Sequence, residues 1–349
     1  MDELADRSVL AIDLGGTQIR AALITPDLAV HERRAVPTRD EEGVDAVVAR
    51  ICEVAAEVLA DARAAGLPAP AAVGISAPGP LDPWRGIVLA TPNLAGWRDV
   101  PLGPRVAEAI DLPVFVERDT NVAVMAEWRY GAAREARTVI YVTVSTGIGG
   151  GAIIDRRPLI GPDGTAGEIG HIVAELDGPR CGCGRIGHVE AISSGTALAR
   201  DARALIDGGG SPRLAELAAT GAAVDAALVA RAADDGDRAS ADLLAHAWSV
   251  IGAMCASLVN VLNPDVIVIG GSIAEHRPEL LDVVRAEIRQ RAFAIPASRA
   301  RVEPAALKDD VSLIGALPIV AERLADPAFR GGSHRPRMAA TNEQGALSP

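Results

Sequence analysis

The chain has 349 residues, too many for one compact core, and at roughly 150 residues per domain it predicts about two domains. Hydrophobic residues make up 49% and charged residues 23%, a folded globular composition that excludes intrinsic disorder as the dominant state. Thirty-four basic residues against 46 acidic ones leave a net charge of −12, which argues against a nucleic-acid partner, because phosphate neutralisation needs clustered cations.

In chain order, Met1 to Arg7 is acidic and lacks an apolar run after a basic start, so it does not read as a secretion signal. Residues 8–14 read as a buried strand ending in Gly15-Gly16, and residues 17–24 resume a strand, so the glycines make a tight connection between paired strands. Residues 44–65 carry apolar side chains at helical spacing and stop at Gly66. Residues 71–75 form a short strand entering the rigid turn Ser76-Ala77-Pro78-Gly79-Pro80. Residues 112–116 form another, followed by Glu117-Arg118-Asp119 and a helix that starts near Thr120 and carries residues 122–130.

Residues 138–145 are again β-rich, followed by Thr146-Gly147-Ile148-Gly149-Gly150-Gly151 and the apolar Ala152-Ile153-Ile154. The two glycine turns, at Gly15 and Gly147, lie 147 − 15 = 132 positions apart, which suits a duplicated domain and not a solenoid. Residues 161–195, rich in Gly, Cys and His, read as a structured loop region. Residues 240–262 read as a long helix with Ser240 as N-cap and Asn263-Pro264 as its stop. Residues 265–269 are a buried strand ending at Gly270-Gly271-Ser272. Alternating helix and strand patterns give an α/β architecture. Residues 331–349 read as a disordered tail.

The uncharged stretches 138–154 and 246–264 are broken by glycines, or by Asn260, Asn263 and a proline, so neither offers about 20 clean apolar residues. No membrane partner is expected, and the protein is expected to be soluble and cytoplasmic. Four cysteines are too few and too clustered for a disulfide framework. Cys52 and Cys255 fall inside apolar helices and read as packing residues, whereas Cys181 and Cys183 point to a reducing compartment and a metal site.

A glycine turn between strands aims backbone N–H groups into one small volume and lets an anion approach closely. Two such turns in duplicated halves point to a nucleotide whose phosphates lie between them; a purely structural turn is the alternative at each. The chain contains neither a P-loop nor a Gly-x-Gly-x-x-Gly that opens a helix. His171, Cys181, Cys183 and His188 have the spacing His-x9-Cys-x-Cys-x4-His, and four N/S ligands on a glycine-rich loop fit closed tetrahedral structural Zn²⁺. Two buried thiols with two ordinary histidines are the alternative.

Asp13-Leu14-Gly15-Gly16-Thr17, the segment Ser145 to Gly151, and Gly270-Gly271-Ser272 resemble the two phosphate motifs and the adenosine motif of the actin-like ATPase superfamily. Pro92-Asn93-Leu94-Ala95-Gly96-Trp97, Gly167-Glu168-Ile169-Gly170-His171, and the segment Cys181 to Glu190 resemble the ROK family, in particular its bacterial glucokinases. The resemblance spans roughly residues 8–325. It implies two duplicated actin-like (ribonuclease H-like) domains with a cleft between them: residues 1–118, completed by a C-terminal helix near 310–325, and residues 119–309 with the zinc loop. It implies transfer of a phosphoryl group from Mg²⁺-ATP to a hexose hydroxyl, with glucose 6-phosphate as the leading product and another sugar or a cyclitol as the alternative. A homodimer or tetramer is implied as well.

Carried over position by position, Asp119 is the catalytic base, and Gly79, Asn93, Asp119, Glu168, His171 and Glu190 contact the sugar. Asp13, Gly15, Gly16, Thr17, Thr146, Gly147, Gly149, Gly271 and Ser272 hold the nucleotide, with Asp13 also facing Mg²⁺. Capping the following helix is the alternative for Asp119, and hydrogen bonding within the turn the alternative for Asp13. The family commonly has cysteine where His188 stands, and asparagine where Arg118 stands. Arg118 either turns away to pair with Glu117 or another acid, donates to a sugar hydroxyl, or favours an anionic substrate. Trp84 and Trp97 either line the sugar cleft or pack under the Asn93 loop. ROK repressors carry a DNA-binding domain before the first phosphate motif, and the strand beginning by Ser8 leaves no room for one. A weakly active sugar-binding protein is a further alternative.

Overall fold

The computed structural model describes residues 7–91 and 94–329. Strand β1 (Val9–Leu14) turns back through three residues into β2 (Gln18–Ile24) and continues into β3 (Val30–Pro37). β1 is aliphatic on both faces because both are covered: Leu10 and Ile12 enter one core, Val9 and Ala11 another. Helix α1 (Val44–Ala64) lays Val47, Ile51, Val54 and Val58 onto the first core. Strand β4 (Val73–Ala77), a small antiparallel sheet of β5 (Leu81–Asp82), β6 (Ile87–Ala90) and β7 (Arg98–Val100), helix α2 (Leu102–Ile110) and strand β8 (Val114–Arg118) follow. The first sheet has the order β3-β2-β1-β4-β8, with β2 antiparallel to its neighbours and β1, β4 and β8 parallel.

Helix α3 (Asp119–Tyr130) leaves the end of β8 and packs on a second sheet. That sheet begins with β9 (Val139–Val144), β10 (Ile148–Ile154) and β11 (Arg157–Pro158). Five helices intervene: α4 (Val189–Ser193), α5 (Gly195–Asp207), α6 (Pro212–Ala219), α7 (Ala226–Asp234) and α8 (Arg238–Leu262). Strand β12 (Val266–Gly270), helices α9 (Ser272–His276), α10 (Glu279–Arg291) and α11 (Ala294–Arg299), and strand β13 (Arg301–Pro304) complete it. Its order, β11-β10-β9-β12-β13, repeats the antiparallel and parallel pairings of the first. The fold is therefore the expected duplicated α/β type.

The chain then returns through α12 (Val311–Ile314) and α13 (Ala316–Ala325), which pack on β1 and α3. Leu313, Leu317, Ile319 and Val320 join Val9, Ala11, Val122 and Val139 in a third core between the sheets. α3 approaches β10 closely because Gly151 has no side chain: a Cβ there would lie 2.7 Å from the Thr120 carbonyl oxygen. α8 is long and apolar enough by composition to cross a membrane, and it buries Leu244, Trp248, Ile251 and Cys255 in the second core.

Several boundaries differ from the sequence reading. β8 runs two residues further than residue 116, so Glu117 and Arg118 belong to the sheet, where ion pairs make their burial tolerable. α8 starts at Arg238; the Asp237 side chain accepts from the Ser240 N–H at 2.8 Å, so Asp237 is the cap and Ser240 lies within the first turn. α4 and a short 3₁₀ turn, Ile169–His171, lie within the region read as loop. The tail 331–349 lies outside the described residues.

Candidate active site and metal centre

Asp119 sits where β8 ends and α3 begins. Its Oδ1 accepts the N–H of the next residue, Thr120, at 2.7 Å; Asp119 is the first residue of the helix and Arg118 the position before it, so this is a local bond and not an N-cap, and it leaves the other oxygen for chemistry. The residue is exposed to solvent, yet protein atoms crowd around its carboxyl group. That burial pushes its pKa up to about 6, against the Thr120 N–H and the Arg118 charge, which pull it down; Asp13 and Glu168 add to the rise. A carboxylate so tuned is ionised at neutral pH and is a stronger base than an ordinary aspartate.

The strand end that carries Asp119 is pinned from behind. Glu117 is 1% exposed; its Oε1 accepts from the Arg118 N–H (2.8 Å) and from Asn121 Nδ2 (3.1 Å), and its Oε2 pairs with Arg323 of α13. Arg323 also donates to the Val116 carbonyl at 2.7 Å. Arg118 is buried and its guanidinium pairs with Glu168. Of the three roles open to Arg118, pairing with another acid is the one realised, and it keeps the side chain within the site.

The first glycine turn is closed by Gly15 N–H donating to the Gln18 carbonyl (3.0 Å) and braced by Thr38, whose hydroxyl donates to the Gly15 carbonyl (2.7 Å). Gly16 and Thr17 stand exposed at its tip. The register of β1 and β2 sets Asp13 opposite Arg20, whose Nε and NH2 both donate to Asp13 Oδ2 (3.0 and 2.6 Å). The other carboxylate oxygen, Oδ1, remains for a cation or its water.

The second turn has the same three-residue length, with Ser145 N–H donating to the Gly147 carbonyl at 3.0 Å and Thr146 exposed. The start of α5 docks on it: the Gly195 and Thr196 N–H groups donate to the Ser145 and Thr146 carbonyls (2.9 and 3.1 Å). Ser272 Oγ lies 2.9 Å from Ser145 Oγ, so the motif that follows β12 meets the second turn. Gly271 makes this approach possible, with φ of 93° and a hypothetical Cβ only 2.6 Å from the Val144 carbonyl oxygen. Thr146, Gly147, Gly271 and Ser272 are thereby brought together. Gly149 lies within β10, paired with Thr143 and facing Thr120, a packing position one step from the turn.

His171, Cys181, Cys183 and His188 converge, one ligand atom of each lying within 4.8 Å of all the others. Zinc bonds of about 2.0–2.1 Å to nitrogen and about 2.3 Å to sulfur imply tetrahedral edges of about 3.3 Å for N–N and about 3.6 Å for N–S. The edges found are 3.2 Å between the two Nδ1 atoms, 3.8 Å from Cys181 Sγ to His171 Nδ1, and 3.3 Å from Cys183 Sγ to His188 Nδ1. The cage fits structural zinc, and both histidines offer Nδ1. Burial first, then the Cys183 thiol and the Glu190 carboxylate, push the Cys181 thiol up to about 11; a cation held by these four residues would favour the thiolate instead.

Several of the residues expected to contact a sugar lie around this cage. His171 Nε2, the nitrogen turned away from the cage, is 3.9 Å from Glu168 Oε2. Glu190 accepts the Ile148 N–H at 3.1 Å, and Cys181 Sγ lies 3.6 Å from its Oε1. Gly79 lies against the Arg118 stem. Asn93 lies outside the described residues. Trp97 is buried in the first core, and Trp84 stacks on Phe329 at 6.4 Å. Arg20, Thr38 and Arg323 were not singled out from the sequence; Asp13 faces Arg20 because the ladder pairs Leu14 with Ile19, so four residues separate the last paired positions.

This arrangement has known counterparts. The chain is 32% identical over 316 residues to a glucokinase of Thermotoga maritima, covering 90% of this chain and 98% of that one. It is also 32% identical over 310 residues to an N-acetylmannosamine kinase of Citrobacter koseri, covering 88% and 97%. A ROK family glucokinase from Streptomyces griseus, solved in complex with glucose and AMPPNP, superposes with a TM-score of 0.76 at 31% identity, covering 90% of this chain and 99% of that one. The family model described as ROK family matches residues 9–323, which takes in both glycine turns, the buried Glu117–Arg323 pair and the whole metal cage, and the chain belongs to that family.

Proposed function

We propose that this protein transfers the terminal phosphoryl group of ATP to a hexose hydroxyl, with the 6-hydroxyl of glucose as its acceptor. The observation that carries this reading is Asp119, a carboxylate tuned to about 6 at the end of β8, with the acid Glu168 on its sugar side and Asp13 of the first turn on its phosphate side. The glucokinase and N-acetylmannosamine kinase relatives support the reaction class.

Residues up to 118 together with α13 are assigned to one lobe, and residues 119–309 to the other. Bound Mg²⁺-ATP supplies the phosphoryl group and the cation that neutralises its developing charge. The N–H groups of Gly16 and Thr17, and of Thr146 and Gly147, hold phosphate oxygens from the two sides, with Gly15, whose own N–H closes the turn, leaving room for their approach, while Gly271 and Ser272 seat the adenosine end. Asp13 Oδ1 faces the cation. Asp119 takes the proton of the attacking hydroxyl. Glu168 and Glu190 accept from sugar hydroxyls, His171 Nε2 donates, and Gly79 and Asn93 close the rim. A structural zinc ion fixes the His171 ring. The protein is expected to work in the cytoplasm, without nucleic-acid or membrane partners, as a homodimer or tetramer; Phe293 and Ile295, 70% and 66% exposed, are apolar surface that such an assembly would cover.

The test is ADP release by the purified protein with ATP and Mg²⁺ over glucose, mannose, fructose, N-acetylmannosamine and N-acetylglucosamine, paired with metal analysis and light scattering. Sugar-dependent release with the highest kcat/KM on glucose is expected. A higher value on N-acetylmannosamine overturns the choice of acceptor, and release independent of every sugar overturns the reaction.

A further inference from the structure

Arg118 stands between the two sheets. It is the last residue of β8, yet its guanidinium is held by the second half of the chain: NH1 pairs with Glu168, and NH2 donates to the Ala166 carbonyl (2.6 Å), the Gly150 carbonyl (3.1 Å) and Asn121 Oδ1 (3.3 Å). Its stem crosses Gly79, where a Cβ would fall 2.9 Å from the Arg118 Cδ. The residue is 4% exposed, whereas the Glu168 side chain keeps 43% of its surface open. The guanidinium is therefore the fixed partner and the carboxylate the one that faces the cleft. A carboxylate has two oxygens and suits two neighbouring hydroxyls. Here Oε1 accepts from Arg118, which fixes the rotation of the carboxylate, and Oε2, beside His171 Nε2, is the oxygen turned away from that anchor.

We propose that Arg118 determines acceptor specificity: by anchoring Oε1 of Glu168 it fixes the carboxylate with Oε2 towards the substrate, so this edge of the site reads a single ring hydroxyl where a carboxylate free to rotate would span an adjacent pair. The ligand class is hexoses, including those in which the second hydroxyl on that edge is absent, epimeric or replaced by an acylamino group. The inference rests on the phosphotransferase reading above. A purely structural Arg118, tying residues 166–168 to β8, would affect all sugars alike, and that difference is what the experiment reads.

kcat/KM is measured on glucose and on its 2-, 3- and 4-deoxy analogues for the wild type, Arg118→Asn and Arg118→Lys, with folding checked by thermal melting. Arg118→Asn frees Oε1, so discrimination against the deoxy analogue at one ring position is expected to rise roughly tenfold, about the worth of one hydrogen bond to a charged group, with the other two ratios unchanged. Arg118→Lys keeps a cation on Glu168 and is expected to retain the wild-type ratios. Should Arg118→Asn not fold, Glu168→Gln tests the claim from the other side: Arg118 holds the amide oxygen, the NH₂ exchanges a charged acceptor for a neutral donor, and discrimination at the remaining hydroxyl is expected to fall roughly tenfold. Ratios unchanged in Arg118→Asn, or in Glu168→Gln where that variant stands in, overturn the proposal even if overall activity falls. A wild type that turns over no hexose overturns the kinase reading and the proposal with it, whereas turnover with constant ratios overturns the proposal alone.

Discussion

Asp119→Asn separates the chemistry of the site from its scaffolding. The asparagine oxygen can still accept the Thr120 N–H that Asp119 Oδ1 accepts at 2.7 Å, so the local bond at the start of the helix survives and only the ionisable oxygen is lost. Loss of a general base is expected to lower kcat by roughly 10²–10⁴. With burial holding the carboxyl at about 6, roughly 99% is ionised at pH 8 and about 9% at pH 5, so wild-type kcat/KM is expected to fall roughly elevenfold across that interval. An ordinary aspartate near 3.9 would lose less than about a tenth. Stability moves the other way. A carboxyl raised above its unfolded value favours the folded state most at low pH, and that contribution disappears as pH climbs from the usual aspartate range through about 6. Asp119→Asn removes the burden of a crowded charge and is expected to melt above the wild type at pH 8. ADP measured in quenched samples from pH 5 to 8.5, together with melting curves at both ends, checks all three outcomes. A flat profile, activity within threefold of wild type, or a lower Tm in the variant at pH 8 refutes the assignment.

Three further predictions concern what surrounds Asp119. Arg323→Met leaves Glu117 buried with one oxygen unpaired; breaking a buried pair costs about 3–5 kcal/mol, so Tm should drop on the order of 10 °C, and a shift under 2 °C would show that the pair is dispensable. One zinc per chain is expected by elemental analysis, and Cys183→Ser or chelation should raise the sugar KM roughly 10–100-fold; full activity in metal-free protein contradicts a structural ion. Gly271→Ala forces a side chain into the left-handed region, at about 1–2 kcal/mol, and onto the Val144 carbonyl, so KM for ATP should rise at least roughly tenfold while KM for the sugar holds; equal effects on both would place Gly271 away from the nucleotide.

Much of the fold was legible because its strands are uniformly aliphatic and its turns carry glycine. β1, β2, β9 and β10, α1 and β12 all follow from such runs, and the repetition around Gly15 and Gly147 foretold two like sheets. The metal cage was legible from spacing alone, since Cys181, Cys183 and His188 are local and His171 is close in sequence. What escaped was long-range or polar. β8 keeps Glu117 and Arg118 only because Arg323 and Glu168, on distant segments, compensate their charges. α5, α6 and α7 passed unread because their apolar positions are largely alanines, which mark a helical stripe weakly. Asp237 outcompeted Ser240 as a cap from three residues upstream. Glu168 was recognised as an acceptor, but its occupation by Arg118 depends on a contact between residues 50 apart in sequence.

The return of α13 to the first sheet has a consequence for biosynthesis. Every candidate site residue precedes it, yet Arg323, which neutralises Glu117 two residues before Asp119, and Leu317, Ile319 and Val320, which fill the space between the sheets, leave the ribosome late. The amino-terminal sheet can close its first core, which runs from Leu10 to Val116, as it emerges, but its other face waits for the carboxyl-terminal end. A nascent chain stalled at residue 310 would carry all the catalytic groups and still hold them on an unfinished support.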